Sequence, residues 1–111
     1  MSAAHDSLTA LRDAVASIAR SCGQLDERYS EPEALQLNLL LGKCGPILRT
    51  ALVVDAKQDA LREAIQDYAA GIEKAIRQAV ADPTNRQPQD RVVALVAQLR
   101  MFVHEAQQRF V

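Results

Sequence analysis

The chain has 111 residues, a length that supports one domain around a single core and excludes two. Thirteen Lys and Arg stand against 14 Asp and Glu, for a net charge of -1. No global attraction therefore draws it to phosphate backbones or anionic bilayers, and neither nucleic acid nor a membrane is an expected partner. Ile, Leu, Val and Phe total 29 residues, enough to drive folding, while Gly and Pro total only 8 and alanine alone supplies 19, so an all-α domain is expected.

The opening residues lack a positive start followed by an apolar run, so no signal-peptide pattern is present. Residues 34–54 are the most apolar stretch, but Lys43, Arg49, Gly42, Gly45 and Pro46 interrupt it, which argues against a bilayer span and leaves the cytoplasm as the expected compartment.

Ser7 can cap a first helix over about residues 7–25, where Leu8, Leu11, Val15, Ile18, Cys22 and Leu25 recur at 3-4 spacing on one face. Ala14, Ala19 and Ser21 beside that stripe are small and permit close approach of a neighbour. Gly23 and the polar run Asp26-Glu27-Arg28 weaken the helix at its end.

Ser30-Glu31-Pro32-Glu33 has the form of a capping box with proline in the first turn, and opens a second helix over about residues 31–54. Leu37, Leu40, Cys44, Ile47, Ala51 and Val54 hold the 3-4 phase through Gly42-Lys43-Cys44-Gly45-Pro46. Pro46 removes the bond to the Gly42 carbonyl, so this segment is either one kinked helix or two helices joined by a turn; the unbroken phase favours the kink. Asp55 and Gln58 offer the next capping box, before Leu61, Ile65, Tyr68, Ile72, Ala75 and Ala79, with Ile76 and Val80 at the flanks. The phase would also allow one long helix from Pro46 to Ala81, but a break near Asp55 gives four helices of matched length, as a bundle requires.

Asp82-Pro83-Thr84-Asn85-Arg86-Gln87-Pro88 reads as the clearest loop, after which Gln89 or Asp90 caps a last helix over about residues 90–110. Val92, Val96, Leu99, Val103, Ala106 and Phe110 form its stripe, broadened by Val93, Leu95 and Phe102. The expected architecture is a single helical domain over residues 1–111, an all-α four-helix bundle with a Gly/Pro-kinked second helix and a third helix over about 56–81. Cys22 and Cys44 fall roughly 15 Å apart along an antiparallel helix pair, too far for a disulfide, and are expected to be buried free thiols.

Little chemistry is written in the chain. His104-Glu105 begins the zinc-protease pattern H-E-x-x-H, but position 108 is Gln and the only other histidine is His5, so no metal and no cofactor are expected. Asp55, Asp59, Glu63 and Asp67 recur every four residues as an acidic ridge, read as a solvated face balanced by Lys57, Arg62, Arg91 and Arg100. Residues 41–47 suit the turn of a helix-turn-helix, yet the helix after it would present Ile47, Leu48, Leu52 and Val53 to DNA, which is the composition of a core. No serine or threonine has a histidine placed to activate it, and no glycine-rich loop cradles phosphate, so an enzyme is not expected.

The second helix carries the most informative feature. Leu35, Leu39 and Val53 lie on the side opposite its inward stripe, beside Gly42 and Pro46. An apolar ridge facing water marks an interface. The sequence therefore points to a small interaction protein that forms a homodimer or docks a partner helix through Leu35, Leu39 and Val53. A second reading is a ligand-binding bundle with an apolar cavity at Gly42, Cys44 and Pro46, and a weaker third is a DNA-binding regulator.

Overall fold

The computed structural model describes residues 3–25, 28–50 and 56–109. Four helices follow in order, α1 (Ala3–Gly23), α2 (Glu31–Thr50), α3 (Ala56–Ala81) and α4 (Arg86–Arg109), and no strand occurs among the described residues. Each helix packs on the next, and α4 returns to α1, so the four close into a ring around one core; α3 and α4 share the most extensive seam. The molecule measures 50 × 20 × 19 Å. Its cross-section is that of two helices by two at the usual 8–10 Å spacing.

The 3-4 stripes become the core. Leu11, Val15, Ile18, Cys22 and Leu25 of the first segment are buried, as are Val92, Val96, Leu99, Val103 and Ala106 of α4. On α3 the buried set is Leu61, Ile65, Ala69, Ile72, Ala75, Ile76 and Ala79. Tyr68 sits at the rim, its ring centroid 5.3 Å from that of Phe102 and its hydroxyl donating to Gln98 Oε1 at 2.7 Å.

On α2 the inward face is turned from the expected one. Ala34, Leu37, Leu41, Cys44 and Leu48 are buried, whereas Leu40 and Ile47 only pack against the edge of the core. Five leucines between positions 35 and 41 give this helix apolar side chains in every direction, so periodicity alone leaves its phase loose by roughly 70° at 100° per residue.

The helix ends follow local hydrogen bonding. Ser30 stands before α2 and its carbonyl accepts from Ala34 N at 2.9 Å, while Glu33 Oε2 is buried without a hydrogen-bond partner and does not complete the capping box. Gly23 has no positive φ; α1 instead closes by i to i+3 bonds, Gln24 N to Ser21 O at 3.2 Å and Leu25 N to Cys22 O at 3.1 Å. The helix also begins at Ala3, ahead of the expected cap at Ser7.

α4 starts earlier than Asp90 for a clear reason. Asn85 Oδ1 accepts from Gln87 N at 3.0 Å, which makes Asn85 the cap and leaves Pro88 in the first turn, where its missing N–H costs nothing. Asp82 to Asn85 is then a four-residue turn closed by Asn85 N to Asp82 O at 3.1 Å. With no positive φ outside glycine and Pro83 at its second position, the turn is type I.

α2 is continuous through Pro46, so no helix-turn-helix corner forms at residues 41–47. One turn on, Thr50 Oγ1 donates to the Pro46 carbonyl at 2.8 Å; the group that loses its backbone donor to the proline ring is the Gly42 carbonyl. Residues 51–55, with the expected break at Asp55 and with Val53, lie outside the described residues. The grooves between α2 and α3 nevertheless bring Leu48 and Gly45 beside Gln66 and Ala69, and Asn38 beside Arg77. The two helices thus run antiparallel, which excludes one continuous helix from Pro46 to Ala81.

Candidate functional site

The outer surface of α2 carries the exposed apolar residues expected there. Leu35 is 43 % exposed and Leu39 68 %, while none of the buried residues of α2 exceeds 4 %. With the inward face centred near Leu37 and Leu41, Leu39 points almost directly away from the core, farther out than the sequence phase implied. Pro46 and Gly42 are exposed on the same side. Cys44 is buried, so Gly42 and Pro46 lie on one side of α2 and Cys44 on the other.

Beside this ridge the α2–α3 seam opens into two adjoining grooves of about 290 and 430 Å³. The first has an apolar floor of Leu41, Leu48 and Ala69, with Arg49, Gln66 and Glu73 around it. The second runs past Leu39 and Gly42 between Lys43 and Arg77, and meets the first at Glu73. Groove residues 66, 70, 73 and 77 of α3 continue at 3-4 spacing to Val80, which is 43 % exposed. The antiparallel register that sets Asn38 near Arg77 brings Val80 level with Leu35. Val80 is thus an exposed apolar residue at the level of Leu35 on the α3 side of the seam; its flanking position on the α3 stripe was visible in the sequence, its level relative to α2 was not.

Two glycines shape the groove without any need for unusual backbone, since none has a positive φ. A Cβ added at Gly42 would meet nothing within 4 Å, so the surface there is a gap open to an approaching chain. A Cβ at Gly45 would stand 3.3 Å from Arg49 Nη1. The Arg49 guanidinium lies over the glycine, one turn back along α2.

The remaining polar groups do not converge on chemistry. Among the described residues no three His, Cys, Asp or Glu side chains gather as a metal centre requires. His104 is exposed on α4, its Nε2 3.3 Å from Gln108 Nε2. Asp59 of the acidic ridge pairs with Arg62 one turn on; Glu63 and Asp67 are exposed, and Asp55 lies outside the described residues. Both cysteines are free. Burial pushes the Cys22 thiol up to about 12, with the Arg100 charge pulling the other way, and burial also raises Cys44, so neither is an activated nucleophile. The Tyr29 hydroxyl is buried without a partner, and its pKa is raised first by burial and then by the Glu31 charge.

No helix is long and apolar enough to cross a membrane among the described residues. No protein-family model, curated protein or solved structure matches the chain.

Proposed function

We propose that the protein is a non-enzymatic helical interaction module, and that α2 presents its contact surface through Leu35 and Leu39. The observation that supports this is the 68 % exposure of Leu39 on a helix whose other side already fills the core. A monomeric bundle gains little from a leucine at that position, because an apolar side chain contributes only in proportion to the area removed from water. Leu35, one turn back on the same side of α2, is also exposed, and apolar residues gathered on one exposed face are the surface signature of an interface. Self-association and docking of a partner helix both use this face.

Site-specific photocrosslinking tests the reading. A photoreactive residue in place of Leu39 should give a protein adduct in cells, whereas the same group at the exposed Ala94 of α4 should not. Equal yields at the two positions would show that the ridge is ordinary surface.

A further inference from the structure

We infer that the α2–α3 groove seats an amphipathic helix of another protein, one whose apolar stripe is flanked by carboxylates. This rests on the interaction reading above and names the chemistry of the partner. The floor is apolar and its edge is cut low by Gly42, Gly45 and Ala70. With open space above Gly42, a helix can descend between α2 and α3 as ridges pack into grooves. Along α2 the groove lining runs from Asn38 to Arg49, about 16 Å or three helical turns.

Charge selects the occupant. Lys43, Arg49 and Arg77 line the groove against the single acid Glu73, a local excess of positive charge on a chain whose net charge is -1. Two copies meeting through this face would bring like charge against like, which disfavours a second copy. A bilayer is disfavoured by shape, because a concave seam with Glu73 at its middle cannot lie flat among anionic headgroups. Carboxylates beside the stripe of an entering helix satisfy the three cations, and leucines of the stripe cover Leu39, Leu35 and Val80.

Two designed peptides of about 16 residues test this, both with leucines at 3-4 spacing, one flanked by glutamates and the other by lysines. Fluorescence anisotropy should show the glutamate peptide binding about tenfold more tightly, with the difference shrinking as salt rises from about 0.1 to 1 M. Arg77→Glu should weaken it about tenfold and Glu73→Gln should tighten it by up to about fivefold, with helicity unchanged in both. Equal binding of both peptides overturns the assignment of an acidic partner while leaving the apolar ridge as an interface. A wild-type dimer by light scattering that binds neither peptide makes the second copy the occupant. Sedimentation with phosphatidylcholine–phosphatidylglycerol vesicles, without peptide binding, makes it a bilayer. A monomer that binds none of these overturns both the inference and the interaction reading beneath it.

Discussion

Leu37 and Leu39 are two residues apart on α2 and differ from 0 % to 68 % in exposure, which makes them a matched pair. Complete burial of a leucine is worth about 1.5–3 kcal/mol, so the third of Leu39 that is covered contributes about 0.5–1 kcal/mol. Leucine and glutamate have similar helix propensity. Leu39→Glu should therefore lower stability by about 1 kcal/mol at most, roughly 4 °C in Tm for a domain of this size. Leu37→Ala removes a side chain closed in on all sides and should cost about 2–5 kcal/mol, because the cavity only partly collapses. Urea and thermal denaturation, followed by circular dichroism at a dilution where association contributes nothing, gives both values. A Leu39→Glu protein that loses more than about 3 kcal/mol, or much of its helicity, would place Leu39 in the core, where an unpaired carboxylate is expensive. The reasoning about the outer face of α2 would then be wrong.

Pro46→Ala should raise stability by up to about 3 kcal/mol in urea titrations, since α2 is continuous there and alanine restores a backbone donor; a loss would mean that the proline opens a helix of its own. Asn85→Ala should cost about 1 kcal/mol by removing the cap on Gln87 N, with Asn85→Asp retaining most of it; equal losses in the two variants would remove Asn85 from that role. The Cys22 thiol ionises near 9.0 in the unfolded chain and at about 12 in the folded one. Its contribution to stability is full below the lower value and is lost as pH climbs toward the upper one. Urea midpoints should thus fall between about pH 8 and 10.5 more steeply in the wild type than in Cys22→Ala, and parallel profiles would contradict the burial of that thiol.

The stripes of α1 and α4 were legible because their large buried residues keep one phase; Leu11, Val15 and Ile18, or Val92, Val96 and Leu99, admit a single inward direction, with Met101 of α4 exposed outside it. α2 was harder to read. Leu35, Leu37, Leu39, Leu40 and Leu41 leave several phases open, and only contact with α1 and α3 turns Leu41 and Leu48 inward and Leu40 to the edge. The start of α4 was missed because two prolines made residues 82–88 look like one loop, although Asn85 followed by a proline three residues later is also what a capped first turn needs. The outer ridge could be seen along α2 alone. Arg77 and Val80 of α3 are brought level with it by the antiparallel register of α2 and α3, a tertiary relation that no single helical pattern contains.

The mass of the protein in its native assembly tests the central claim, that the outer face of α2 is a contact surface, most directly. Light scattering on material purified gently from the cells that make it should find the wild type in a species heavier than the 12.2 kDa chain. Leu39→Glu should run at the mass of one chain with the same helical spectrum. Wild type and variant at the same mass, both fully folded, would contradict the account.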